Sequence, residues 1–248
     1  MKGHDMVGRA WFIKICEIIL FMHVVLSIGG SSIIPDGKPD LQFLKAISKI
    51  ISKSKNSFGI LCGGGTVARL YATAARELGA SEYEADSIAI RSTKQNAHLL
   101  LLALQGAGID ACMVRDFEQA KGPAKKCKAV VMGGTIPGIT TDTDSVLLAE
   151  AIGAERLVNI SNVDAIYDSD PRKNPNAKKF QKMGYDELIS LASSSDKRIA
   201  GTNFVFDMLA CKLIARSEIE THFVSFKKMD DLENALEGKR HSGTVVSD

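Results

Sequence analysis

The sequence lacks an excess of charge of either sign. Its 31 Lys and Arg residues against 29 Asp and Glu leave a formal +2, so bulk charge gives no support to nucleic-acid binding. It also lacks paired cysteines. The five, at positions 16, 62, 112, 127 and 211, show no C-x-x-C spacing, which argues against a zinc cage or a disulfide framework and suits a reducing cytoplasm. Histidines 4, 23, 98, 222 and 241 are scattered, so neither a metal-ligand spacing nor a nucleophilic triad is indicated. A membrane-spanning run is missing too. Residues 11–22 are apolar but too short, are interrupted by Lys14 and Glu17, and carry no small-residue cleavage site. Residues 1–21 are therefore read as an appendage, with Met22 beginning the fold. Neither G-x-x-x-x-G-K-[ST] nor G-x-G-x-x-G occurs, which disfavours a P-loop kinase and a dinucleotide enzyme. Internal repeats, low-complexity tracts and long linkers are absent as well.

What the sequence does contain is a repeated unit of apolar run, glycine loop and helical pattern. Residues 23–28 end in Gly29-Gly30-Ser31, residues 58–62 in Gly63-Gly64-Gly65, and residues 129–132 in Gly133-Gly134-Thr135. Helical spacing follows each: Leu41, Leu44, Ile47, Ile50 and Ile51; then Val67, Leu70, Tyr71, Ala74 and Leu78, closed by Gly79; then Val146, Leu147, Ala149 and Ala151. A buried strand that ends in a flexible loop opening a helix reads as one unit of an α/β fold. Further strands are expected at residues 109–114, 156–160, 221–226 and 243–246. A helix is expected over residues 92–105, whose Leu block 99–102 is apolar on more than one face and so is buried or packed against another subunit. Residues 168–182 have no apolar period and read as an exposed arm or lid. The alternation predicts a three-layer α/β/α sandwich around a mainly parallel sheet. Ligands in that architecture bind beyond the carboxyl ends of the strands, where all three glycine loops fall.

Several glycine loops with carboxylates beside them suit two phosphorylated ligands. Main-chain N–H groups can cradle phosphates, and Arg69, one turn into the helix after the second loop, can reach the same oxygens with its planar fork. Asp142 and Asp144 begin a helix, where the dipole alone favours acids by about 0.3–1 kcal/mol, so their pattern admits both a structural and a catalytic reading. Asp86, placed between helical segments, is either loop polarity or an acceptor for a ribose hydroxyl. Ser161, Asn162, Asp164 and Tyr167 after a strand suit a nucleoside or a polar turn equally. Cys62, beside the second loop, reads as a small buried apolar residue rather than a reactive thiol.

On these motifs the sequence resembles the amino acid kinase superfamily and, within it, the archaeal-type uridylate (UMP) kinase branch. The residues that carry the resemblance are Ile28-Gly29-Gly30-Ser31, Gly63-Gly64-Gly65 with Ala68-Arg69, and Met132-Gly133-Gly134-Thr135 with Pro137-Gly138 and Thr140-Thr141-Asp142. Asn162-Val163-Asp164 with Tyr167, Asp170-Pro171 and Ala215-Arg216 complete it. They stand in family order from Met22 onward. The resemblance implies one domain over residues 22–248, with UMP bound mainly by 22–150 and ATP mainly by 151–248. For UMP it implies Gly64, Asp86, Ile136, Pro137, Gly138, Ile139, Thr140, Thr141 and Asp142. For ATP it implies Ser27, Ile28, Gly29, Gly30, Ser31, Gly65, Arg69, Ser161, Asn162, Tyr167 and Asp170. Asp142 and Asp207 are the implied catalytic residues, with no protein-only metal cage and Mg²⁺ bridging the ATP oxygens. A cytoplasmic homohexamer is the implied assembly, with neither nucleic acid nor membrane as partner.

The sequence departs from this family at three places. Leu26-Ser27-Ile28 carries no lysine where much of the superfamily has one. Ile136 and Ile139 stand where the branch often has histidines, and Ala165 stands where a glycine is usual. Two rival readings follow from the resemblance: another small-molecule kinase of the fold, such as isopentenyl phosphate kinase, and a non-catalytic nucleotide or oxyanion binder.

Overall fold

The computed structural model describes residues 23–171, 173–196 and 206–248. The amino-terminal appendage expected over residues 1–21 lies outside the described residues. Eight strands form one sheet: β1 (His23–Ile28), β2 (Ser57–Cys62), β3 (Ala111–Met113), β4 (Ala129–Met132), β5 (Arg156–Ser161), β6 (Lys182–Met183), β7 (Glu220–Ser225) and β8 (Thr244–Val246). Their order is β3-β4-β2-β1-β5-β7-β8-β6. Every pairing is parallel except β7 with β8. The helices are α1 (Gly30–Ile33), α2 (Leu41–Lys53), α3 (Gly65–Glu77), α4 (Glu82–Gly106), α5 (Phe117–Ala120), α6 (Thr141–Ile152), α7 (Tyr185–Asp196), α8 (Met208–Ser217) and α9 (Met229–Leu236).

Side-chain alternation along the strands builds the three layers. Val24, Leu26 and Ile28 of β1 pack with α2, α4 and α9, whereas Val25 packs on the opposite face with residues of α6, α7 and α8. Both faces are covered, so the central strands read as continuous apolar runs. Each fully buried Leu or Ile, such as Leu26 and Ile60, is worth about 1.5–3 kcal/mol relative to exposure.

The expected three-layer, mainly parallel architecture is what the structure has, and the differences lie in detail. Helix α4 begins ten residues earlier than the apolar period suggested. Ser81 and Glu84 form a capping box: the Ser81 side chain accepts from the Glu84 N–H, and the Glu84 carboxylate accepts from the Ser81 N–H. That reciprocal pair starts the helix at Glu82 and places Asp86 inside it, not between segments. On α3 the buried positions are Ala68 and Ala72, while Leu70, Tyr71 and Leu78 point outward, Leu78 at 88% exposure. Of the expected apolar stripe only Val67 packs against this chain's own core; the rest faces away from it. The arm at 168–182 is exposed along Lys173, Asn174, Pro175 and Asn176. It is pinned at its base by a Tyr167–Lys179 bridge and by β6, whose two residues were too few to show a period. Among the described residues no helix is long and apolar enough to cross a membrane.

Candidate functional site

The three glycine loops leave the carboxyl ends of β1, β2 and β4, which are neighbours in the sheet. The first two loops touch backbone to backbone. A Cβ added at Gly30 would lie 2.0 Å from the Gly65 nitrogen and 2.5 Å from the Gly63 oxygen. Gly65 itself has φ +64°, a conformation that favours glycine. The Gly29 N–H is spent on the Ile160 carbonyl and the Gly63 N–H on that of Ile28. Donors for an anion therefore fall to the residues that follow, at the starts of α1 and α3. Those two helices have glycines at their N-cap positions and no side-chain cap. By contrast Asp40, Ser81, Thr140 and Asp207 cap α2, α4, α6 and α8. An uncapped helix start keeps N–H donors and partial positive charge available to a phosphate.

Two residues not singled out in the sequence hold these loops together from α4. The buried Asn96 donates its Nδ2–H to the Gly63 carbonyl at 2.7 Å, and the Thr93 hydroxyl accepts from the Gly134 N–H at 2.7 Å. Gly133 packs so tightly on the same helix that an added Cβ would lie 2.6 Å from the Thr93 Oγ1. The available signal was a run of polar residues, Ser92, Thr93 and Asn96, on a helix face otherwise continued by Ala97, Leu100 and Leu104.

The carboxylates converge on the start of α6. Thr140 caps that helix by accepting from the N–H groups of Asp142 and Thr143, and it donates its own hydroxyl to Asp207 at 2.5 Å. Thr143 donates to both Asp207 oxygens at 3.0 Å, and Asp207 accepts from the Ala210 N–H to cap α8. Asp142 accepts from the buried Ser27 hydroxyl at 3.4 Å. Burial, and after it the Asp207 charge, push the Asp142 carboxyl up to about 7. Asp144 is buried and accepts from the N–H and the hydroxyl of Thr135. Burial lifts it to about 6 against those bonds. Asp144 thus anchors the third glycine loop, while Asp142 is the carboxyl held near neutral pH by burial and, after it, by Asp207.

Replacing Asp207 by Ala removes a helix cap and leaves two hydroxyls without their acceptor. It is expected to cost about 2 kcal/mol, read as a lowered urea midpoint. Asp207→Asn keeps the capping oxygen and is expected to recover most of that loss.

The remaining expected residues lie on α3, on α4, in the loop leading into α6, and at the end of β5 and the segment beyond it. Asp86 accepts from the Gly138 N–H at 2.9 Å and so ties the loop bearing Ile136, Pro137, Gly138 and Ile139 to α4. Ile136 is 59% exposed and Gly138 has φ +89°. Thr141 opens α6, and Gly64 is the N-cap of α3. Arg69 is exposed, its guanidinium donating to Thr66 at 3.3 Å in the first turns of α3. Ser161 ends β5 with its hydroxyl turned back to the Val163 carbonyl, and Asn162 next to it is exposed. Tyr167 donates its hydroxyl to Asp164, which also accepts from Lys179 and Lys228 and is held below the usual carboxylate range by these bonds against its burial. Asp170 lies beyond Tyr167 in the arm. The φ of Ala165 is not positive, so no glycine is required there. Cys62 is fully buried, and burial pushes its thiol up, as expected of an inert residue. Among the described residues no three His, Cys, Asp or Glu side chains are grouped to hold a metal ion.

Known proteins resemble this chain in sequence and in fold. The uridylate kinase of Thermococcus onnurineus (strain NA1) is 42% identical over 227 residues, covering 91% of this chain and 99% of its own. The crystal structure of uridylate kinase from Archaeoglobus fulgidus superposes with a TM-score of 0.78 at 37% identity, covering 91% of this chain and all of the other. The UMP kinase structure from Bacillus anthracis, at 21% identity and a TM-score of 0.76 over 91% of this chain and 96% of its own, shares the fold. Residues 22–225 match the amino acid kinase family, and with that match, the adjoining glycine loops and the sheet order, the chain belongs to the amino acid kinase family.

Proposed function

We propose that this chain is a UMP kinase that transfers the γ-phosphoryl group of ATP to UMP, giving UDP for pyrimidine nucleotide synthesis. The observation that carries the reading is the direct contact of the loops after β1 and β2 beside Asp142, in a chain about 40% identical to proteins named uridylate kinase. Two anionic ligands gripped by adjoining loops have their phosphates side by side, and positioning is most of what phosphoryl transfer asks of a protein. UMP is assigned mainly to residues 22–150 and ATP mainly to 151–248, within one domain over 22–248.

The attacking group is itself a phosphate oxygen, which at neutral pH needs no base to free it, since a phosphate monoester loses its second proton at about pH 6. Asp142 accordingly orients rather than deprotonates. The N–H groups at the starts of α1 and α3 hold phosphate oxygens, with Arg69 within one turn of them, and Thr140 and Thr141 face the acceptor. The carboxylate and hydroxyl oxygens around Asp142 and Asp207 suit Mg²⁺, which these residues would hold together with phosphate oxygens and water, supplying charge neutralisation. With Leu26, Ser27 and Ile28 buried and no lysine among them, main-chain donors and Arg69 carry the charge a first-strand lysine would otherwise meet.

A coupled assay for ADP release with UMP, CMP and isopentenyl phosphate tests the assignment. Turnover is expected with UMP. Turnover with isopentenyl phosphate alone would move the chain to another kinase class. Binding of nucleotide without ADP release would make it the non-catalytic binder that the missing lysine favours. Asp86→Ala is expected to raise KM for UMP severalfold more than KM for ATP, because it removes the ribose acceptor and frees the Gly138 loop. Equal changes in the two constants would remove Asp86 from the UMP pocket. A cytoplasmic homohexamer is proposed with this reading; the outward Leu70, Tyr71, Leu78 and Leu102 support self-association, and light scattering at the mass of one chain would refute the assembly.

A further inference from the structure

At the β3 rim of the sheet, away from the glycine loops, two thiols meet. Cys112 lies in β3 and Cys127 two residues before β4; the sulfurs are 2.6 Å apart, with the Cys112 S–H donating to Cys127. The parallel register of Ala111 with Ala129 fixes this approach. Since a covalent S–S bond is about 2.05 Å long, bridging asks for little side-chain movement. Both residues are half-buried, whereas Cys62 and Cys211 are buried.

The surroundings of the two sulfurs differ. Lys125, Lys126 and Lys128 flank Cys127 in the chain. Cys112 is pushed up to about 12 by burial first, then by Cys127 and Asp110. Cys112 is therefore the sulfur less ready to attack first, which leaves the first attack to Cys127.

We propose that Cys112 and Cys127 form a dithiol that a peroxide closes to an intrachain disulfide and a thiol reductant reopens. The Cys127 thiolate attacks one oxygen of hydrogen peroxide and the O–O bond breaks, leaving a sulfenic acid on Cys127 and hydroxide, which is protonated to water. The Cys112 sulfur then attacks the Cys127 sulfur. The S–S bond forms, the S–O bond breaks, and the departing hydroxide takes up the Cys112 proton as a second water. Two thiols and one peroxide give one disulfide and two waters. The bridge would join residues 15 apart in the chain and tie the α5 segment to the strand it leaves, constraining the unfolded chain.

The test treats the full chain with hydrogen peroxide, quenches it, and compares intact mass and alkylation with the reduced protein. The expected product is a single chain lighter by about 2 Da, the two hydrogens removed. It should take up two fewer alkyl groups, and digestion should yield a linked peptide containing Cys112 and Cys127. Dithiothreitol is expected to restore both thiols, and the oxidised form to melt about 5–10 °C higher. Cys112→Ser and Cys127→Ser should each abolish the mass loss, with dimedone trapping a sulfenic acid on Cys127 in the first variant only. Cys62→Ser should leave the mass loss in place. An unchanged mass with all five cysteines still alkylated would overturn the proposal. So would a disulfide that survives Cys112→Ser, or one that joins two chains.

Discussion

Asp142→Asn is expected to lower kcat by at least about tenfold while leaving the chain folded, because an isosteric neutral group removes the charge that organises the reacting phosphates. Burial and Asp207 raise the Asp142 carboxyl to about 7 in the folded chain, above the roughly 3.9 of an unfolded aspartate. The folded state thus holds the proton more tightly. This contribution is full below about pH 4 and is lost as pH rises through about 7. Asp144, lifted to about 6 by burial, adds a slope of the same sign. In thermal melts of the nucleotide-free protein, wild type should lose stability relative to Asp142→Asn between about pH 4 and 7, and the variant should equal or exceed it at pH 8. A variant that turns over UMP at the wild-type rate would remove Asp142 from the catalytic group. Parallel pH curves for the two proteins would show that its carboxyl is not held near neutral pH.

Gly30→Ala is expected to be among the most damaging single-methyl changes at the described glycines. Its Cβ would lie 2.0 Å from the Gly65 nitrogen and 2.5 Å from both the Gly63 oxygen and the Gly64 carbonyl carbon. All are main-chain atoms, so no side chain can rotate away and one loop must move. Overpacking of this kind costs about 3 kcal/mol, or about 6–12 °C in Tm for a chain of this size. The displaced loop should also lower kcat/KM more than the loss of folded protein explains, since misplacement of about 1 Å can cost a hundredfold. Gly106→Ala is the matched control. It ends α4 with nothing within 4 Å of an added Cβ, and should stabilise the chain by about 0.5–1 kcal/mol. If Gly30→Ala melted and turned over like Gly106→Ala, the two loops would not be in contact in solution.

The layers and the three loops were legible because each rests on a short-range pattern. An apolar run of strand length, glycines and a helical period recur in β1, β2 and β4, and burial on both sheet faces preserves the apolar runs. What was not legible depends on contacts distant in the chain. Asp86 was placed in a gap because the start of α4 lies in a capping box, a hydrogen-bonding signal that apolar periodicity does not register. The roles of Thr93 and Asn96 required knowing that α4 passes under both the second and third loops. The outward stripe on α3 misled in another way: periodicity says that a helix has an apolar face, not whose surface covers it. Asp207, assigned through resemblance alone, shows in the structure why an aspartate is needed there, since it caps one helix while accepting from the cap of another.

The position of β8 carries a consequence for how the chain is made. It fills the slot between β7 and β6, so a polypeptide halted before Thr244 leaves β7 with a bare edge and β6 with no neighbour at all. Sheet closure on that side must therefore await the synthesis of β8, and a nascent chain stalled before it would expose the very strand most apt to pair with a stranger.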